Sequence, residues 1–163
     1  MLTPNGPMVL EYNCRFGDPE TQVLLPLLSS DLYSILVSCV EGTLEPSQVR
    51  WKDNSYASTV ICASGGYPDS YQKGFRIEGL NKAKGDNIIV YHSGTQLISD
   101  EYGQEQLVTN GGRVLAVTGL GRTLRDAVAT SYGTINQLSF SGMQYRQDIA
   151  HRYSIPKYLL LFD

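Results

Sequence analysis

Hydrophobic positions recur with different periods along the chain, and the change of period divides it. After Asp31, Leu32, Ile35, Leu36 and Cys39 fall at i, i+3, i+4 and i+7, the spacing of one helix face. Asp31 precedes that face as an N-cap, and Gly42 follows it as a stop. A second helical pattern opens at Thr123, with Asp126 completing part of a capping box. It continues through Leu124, Ala127, Val128 and Ile135 to Leu138. Between the two helices the residues become β-branched. Ser55 to Ala63 (SYASTVICA), Asn87 to His92 (NIIVYH), Leu107 to Thr109 and Arg113 to Thr118 (RVLAVT) predict strands. Gly65-Gly66-Tyr67-Pro68 ends the first of them, and Asn110-Gly111-Gly112 predicts a hairpin turn between the last two.

Toward the N-terminus, Asn5-Gly6-Pro7 predicts a turn and Met8 to Asn13 a strand. A helix is expected from Asp18 as N-cap, with Pro19 at its first position, and Pro26 kinks or ends it. Residues 1–45 thus have the texture of the end of an α/β unit. Residues 46–153 have that of a mixed, mainly antiparallel α+β domain, with the boundary at the polar Glu45-Pro46-Ser47. The tail, residues 154–163, matches neither pattern.

Composition narrows the functional classes. With 163 residues, 42% hydrophobic, the chain can bury a core as one domain plus a piece of another. A net charge of -3 without a basic patch argues against a nucleic-acid partner. The most apolar runs, Val23 to Leu28 and Tyr158 to Phe162, fall far short of the ~20 residues of a membrane helix, and MLTPNGPM carries no secretory signal. Cys14, Cys39 and Cys62 form neither a zinc pattern nor a disulfide framework, so a reducing, cytosolic setting is expected. With only His92 and His151, a histidine-rich metal site is not expected.

The densest chemistry lies in LEYNCRFGDPETQ, Leu10 to Gln22. Side chains alternate along a strand, so Glu11, Asn13 and Arg15 would share a face. A carboxylate and a carboxamide at i and i+2 are hard oxygen donors suited to Mg²⁺, which takes few protein ligands and fills its shell with water and phosphate. Arg15 could grip a phosphate or carboxylate with its fork, and a helix opening at Asp18-Pro19 would favour anions. The plainer alternative is that Glu11 pairs with Arg15 on an exposed strand, while Asp18, Pro19 and Glu20 only cap a helix.

A wider set of motifs bears on that choice. Val9 to Leu28 (VLEYNCRFGDPETQVLLPLL) resembles the signature of the phosphoribosylamine–glycine ligases, the glycinamide ribonucleotide synthetases of the ATP-grasp group. SDLY (Ser30 to Tyr33), ASGGYP (Ala63 to Pro68), YHSGT (Tyr91 to Thr95), LVTNGGRVLAVTGLG (Leu107 to Gly121) and YRQDIAHR (Tyr145 to Arg152) resemble further family motifs in order and spacing. The fold this implies is α+β: the end of an ATP-grasp domain in residues 1–45, then a mainly antiparallel C-terminal domain of the synthetase type.

The implied reaction joins glycine to 5-phosphoribosylamine through a glycyl phosphate, with ATP as co-substrate going to ADP and phosphate. The resemblance places Mg²⁺ or Mn²⁺ on Glu11 and Asn13, makes Arg15 catalytic and substrate-binding, and puts substrate recognition on Asp18, Pro19 and Glu20. It also implies that these residues are about the last third of the enzyme. The adenine pocket and the lysines that grip the triphosphate would then belong to an N-terminal remainder acting as partner, and this chain alone would be inert. A fragment of this kind is expected to expose apolar surface.

The competing reading is a non-catalytic isoform or interaction module that keeps the C-terminal fold. In the second half most motifs read as structural. Arg113 either faces the cleft or is a solvated β-edge arginine. Tyr145, Arg146 and Asp148 are candidates to tie the C-terminal domain to the ATP-grasp core, and His151 reads as a surface or satisfied histidine rather than a ligand.

Overall fold

The structure, a computed structural model, describes residues 1–99 and 102–151. The 154–163 tail therefore lies outside the described residues. The chain begins with a miniature ladder, β1 (Leu2–Thr3) against β2 (Gly6–Pro7), turning at Pro4 and Asn5. Next come a one-turn helix, α1 (Thr21–Leu24), a 3₁₀ turn at Leu25–Leu27, and helix α2 (Leu32–Glu41). The remaining elements are β3 (Tyr56–Ala63), β4 (Ile88–His92), β5 (Thr95–Ser99), β6 (Glu105–Thr109), β7 (Arg113–Gly121) and α3 (Leu124–Ile135). All strand pairings are antiparallel, in one sheet ordered β3-β7-β4 and a second made of β5 and β6. The α+β class expected from the strand and helix patterns is the class observed.

Strand β7 organises the sheet. It lies between β3 and β4, and every residue from Val114 to Gly119 is buried. Cross-strand partners share a face, so Val60, Cys62, Leu115 and Val117 line one side of the sheet. They form the core with Ile77, Ile135, Leu138 and Phe140, and α3 closes over it.

The helix seats unusually low because β7 has no side chain at Gly119. A Cβ there would meet Ala127 O at 2.4 Å and Ser131 N at 2.6 Å. Ser131 Oγ occupies the junction. It accepts from Gly119 N–H at 3.0 Å, and its own proton is within reach of Ser58 O (2.7 Å) and Ala127 O (3.0 Å). The helix starts as the sequence predicts, on a reciprocal Thr123–Asp126 capping box. It ends at Ile135, three residues before the last periodic position, where a tighter turn carries Leu138 into the core.

The other face of β3 and β7 is covered by the N-terminal segment. Thr118 Oγ1 donates to Gln22 O at 3.1 Å, so the 2.5 Å contact with Thr59 Oγ1 has Thr59 as donor. Pro26 is buried beneath this segment, and Leu28 bridges to Trp51.

Three local expectations are overturned. The strand expected over Met8 to Asn13 does not form: none of these residues lies in a strand, and Leu10 and Tyr12 are 73% and 84% exposed. A strand is held by the ladder of a neighbour, not by its own alternation. Asp18 is not a helix cap, because Glu20 is the residue that precedes α1, and Asp18 instead faces Arg113. The Asp18-Pro19 peptide is cis.

Asn110-Gly111-Gly112 is not a hairpin turn either, because β6 and β7 lie in different sheets. The arms β4–β5 and β6–β7 form one long bent ribbon, in which Ser93 and Gly94 stand opposite the five residues 110–114. Ser93 and Gly94 N–H both donate to Val114 O, and Asn110 N–H donates to Gly94 O. Those bonds take up the glycine-rich segment as a bulge where the ribbon turns from one sheet into the other.

Helix α2 forms as its signals predict. Asp31 accepts from Ser34 N–H at 2.8 Å, and Gly42 closes the helix at φ 69°. The Ser34 hydroxyl, then its N–H, hold the Asp31 carboxyl below its usual value. The cap is therefore intact at neutral pH and is lost as pH falls through that lowered value. Yet α2 buries no residue fully; Tyr33 and Val40 are 75% and 89% exposed.

Gly119→Ala is expected to cost about 3 kcal/mol or more, because rigid backbone blocks the new methyl. Gly42→Ala, with open space around it but a left-handed φ, should cost only about 1 kcal/mol. Urea unfolding followed by circular dichroism ranks the two.

Thiol titration gives a second check. Cys14 and Cys39 are exposed, while Cys62 is buried and its thiol is pushed up to about 12 by burial. A disulfide reagent at pH 8 should label Cys14 and Cys39 in the native state and Cys62 only after denaturation.

Candidate functional site

The six residues singled out from the sequence divide into two groups. Glu11 and Asn13 are exposed but adjacent: Asn13 Nδ2 donates to Glu11 Oε1 at 3.3 Å. Rotating the Asn13 amide presents its oxygen beside that carboxylate. One carboxylate and one carboxamide oxygen fit an ion that takes the rest of its shell from water and phosphate. Among the described residues no cluster of three or more His, Cys, Asp or Glu gathers anywhere to hold a metal. Arg15 Nη1 donates to Phe16 O at 3.0 Å and stays exposed. Glu20 folds back over Gly17, where a Cβ would meet its carboxylate oxygen at 2.2 Å.

The second group joins the C-terminal sheet. Asp18 meets Arg113 twice. Arg113 Nη1 lies 3.0 Å from the Asp18 carboxylate and donates to Asp18 O at 2.6 Å. The same carboxylate accepts from Gln22 Nε2 at 2.8 Å. Arg113 Nε donates to the Tyr67 hydroxyl at 3.2 Å. That hydroxyl chiefly raises the guanidinium's pKa, with Asp18 adding and partial burial opposing. Pro19 lines a cleft of about 470 Å³ with Ile61, Ala63, Tyr67, Arg113, Gln144, Tyr145 and Arg146. Glu11, Asn13, Arg15 and Glu20 are not part of its lining.

The wall of this cleft is built from distant segments. Gln144 Nε2 donates to Ser64 O (3.1 Å) and Tyr67 O (2.9 Å), tying the 144–146 segment to the turn after β3. The Tyr132 hydroxyl on α3 donates to Arg146 O at 2.8 Å. Arg146 forms a two-point pair with Asp148, which holds the Asp148 carboxyl below its usual range. Arg113 is thus no edge arginine. It opens the central strand and faces the N-terminal segment, and no signal local to Arg113 indicates a partner 95 residues away. The sequence left Arg113 between the cleft and a solvated edge, and the structure places it on the cleft; Tyr67, read from the sequence as part of a turn, is a residue of this site that the sequence did not indicate.

Comparison with known proteins identifies the domain. The family described as phosphoribosylglycinamide synthetase, C domain, matches residues 57–152. A phosphoribosylamine–glycine ligase of Synechocystis is 48% identical over 154 residues, covering 93% of this chain and 35% of the relative. The bifunctional purine biosynthetic protein purD of Dictyostelium discoideum is 52% identical over 146 residues, covering 88% of this chain and 17% of the relative. A crystal structure of phosphoribosylamine–glycine ligase from Thermotoga maritima superposes with a TM-score of 0.74 at 34% identity, covering 92% of this chain and 35% of that one. The chain therefore spans about a third of the length of the ligases it matches. By its sequence and its fold, it belongs to the phosphoribosylglycinamide synthetase C-domain family.

Proposed function

We propose that this chain supplies the C-terminal third of a ligase that joins glycine to 5-phosphoribosylamine. The observation that carries the reading is the 48% identity to a phosphoribosylamine–glycine ligase across 93% of the chain. In the reaction, the glycine carboxylate attacks the γ-phosphorus of ATP and the bond to ADP breaks, giving glycyl phosphate. The amine of the sugar phosphate then attacks the acyl carbon, phosphate leaves with the bonding pair, and the amine gives up a proton.

Each residue has a part. Glu11 and Asn13 would hold Mg²⁺ or Mn²⁺, and the ion would supply neutralisation of the charge that develops on the transferring phosphate. Arg15 lies two positions beyond the metal pair and holds the acyl phosphate with its fork. Asp18 and Glu20 receive the amino groups of the substrates, and Pro19 shapes the wall between them.

The nucleotide pocket belongs to the rest of the enzyme, the partner of this chain. Val9, Leu10, Tyr12, Tyr33 and Val40 are each at least 65% exposed, and apolar surface of this extent fits a face covered by that partner. Among the described residues no helix is long and apolar enough to cross a membrane.

An add-back assay tests the reading. The chain alone, with ATP, Mg²⁺, glycine and phosphoribosylamine, is expected to form no glycinamide ribonucleotide. Mixing it with the separately expressed N-terminal part of the Synechocystis ligase should restore turnover, and Glu11→Ala should cut that turnover about a hundredfold or more. A folded chain that stays inactive in the mixture would instead be a non-catalytic module.

A further inference from the structure

The second sheet has one covered edge and one open edge. Along β6, Gly74 and Ile77 N–H donate to Thr109 O (2.7 Å) and Leu107 O (2.9 Å), and Thr109 N–H donates to Phe75 O at 2.8 Å. The 74–77 segment closes that side. On the other side β5 pairs with β6 alone, and its outward N–H and C=O groups meet no backbone partner among the described residues. An open row of this kind is a template for one more strand.

Natural edge strands are blunted by charge, by proline or by a bulge. β5 has none of these. Its sequence, Thr95-Gln96-Leu97-Ile98-Ser99, carries no charge and no proline, and its register with β6 runs unbroken over five pairs. Gln96 to Ser99 are all exposed, Leu97 at 55% and Ile98 at 40%. Leu97 stands opposite Leu107, and Leu107 packs against the core. An apolar row therefore runs outward from the core and stops in water at Leu97.

We propose that β5 is the interface of a two-fold dimer, in which it pairs antiparallel with β5 of a second copy of this chain. With the axis at Leu97, each Leu97 faces its own counterpart, Gln96 faces Ile98 of the second copy, and Thr95 faces Ser99 of the second copy. The apolar row then continues as Leu107, Leu97, Leu97, Leu107 across four strands. Because β5 is neutral, the two-fold brings no like charges together, whereas a charged peptide strand would find no countercharge on β5 itself. Five residues span only ~17 Å, so the contact lies at the small end of specific interfaces. The dimer is accordingly weak and concentration-dependent. The inference does not rest on the ligase reading.

Sedimentation velocity of the chain should show a monomer at micromolar concentration shifting to a dimer as the concentration approaches millimolar. Leu97→Lys sets two ammonium groups against each other across the axis and should weaken the dimer about a hundredfold, with an unchanged circular dichroism spectrum. Cross-linking checks the register independently of that variant. In a Cys14→Ser, Cys39→Ser background, Leu97→Cys should oxidise to a disulfide-linked dimer. Ser99→Cys should not, because the two copies of residue 99 lie ~13 Å apart along the strands.

The proposal is overturned if the chain stays monomeric at every concentration, if Leu97→Lys dimerises normally, or if Ser99→Cys cross-links as readily as Leu97→Cys. It is also overturned if the N-terminal part of the Synechocystis ligase dissolves the dimer on addition, because the open edge would then belong to the rest of the enzyme.

Discussion

Strand β7 is covered on both faces, and most of the molecule follows from that. A strand with one wet side can alternate apolar and polar residues, whereas one with two dry sides cannot. RVLAVTGLG accordingly runs without alternation, and its polar atoms have to be satisfied inside the protein. Thr118 does so through Thr59 on the neighbouring strand and Gln22 on the segment above. Gly119 does so through Ser131. The same glycine sets how closely α3 approaches, so removing one side chain from the strand both seats the helix and exposes the N–H that Ser131 needs.

The position of the candidate site is a by-product of this arrangement. The N-terminal segment has to lie on the second face of β7, and in doing so it brings Asp18 and Pro19 to the point where the strand begins. Arg113 stands there because the ribbon bends just before it. The three residues by which one arm of the bend exceeds the other end at Gly112, and Arg113 is the first residue after them. A cleft lined from the 18–19 segment, β3, the turn at Tyr67 and the 144–146 segment therefore has Arg113 fixed by the central strand of the sheet.

What could be read from the sequence was what is decided locally. Asp31 and Gly42 bound α2, the Thr123–Asp126 pair starts α3, and the β-branched runs become β3 and β4, because caps and strand preferences act over a few residues. Asn110-Gly111-Gly112 looked like a turn by the same local logic, but its fate was settled by Ser93 and Gly94 on the opposite arm. Met8 to Asn13 were expected as a strand from their own pattern and lack the neighbour that would make them one.

The site shows the same division. Glu11 and Asn13 could be singled out together because side chains at i and i+2 are neighbours on an extended segment, and the structure keeps them adjacent. The Arg113–Asp18 contact spans 95 residues, and neither side chain reveals it alone. The Asp18 carboxylate, a cap by sequence pattern, went to the stronger partner.

The bent ribbon also bears on how the chain reaches this structure. Its two arms join residues close in sequence, so they can zip from their shared end with a small loss of loop entropy. Strand β3 must come to the same β7 from much farther away, and the Ser58–Ser131 contact closes over 73 residues. The ribbon is then the natural early scaffold. Placement of β3 against it is the step that topology makes slow, and docking of the N-terminal segment closes over a longer span still, 96 residues at Thr118. The cleft lies where the longest of these closures meets the central strand of the ribbon, so it exists only once the most entropically costly loop has closed.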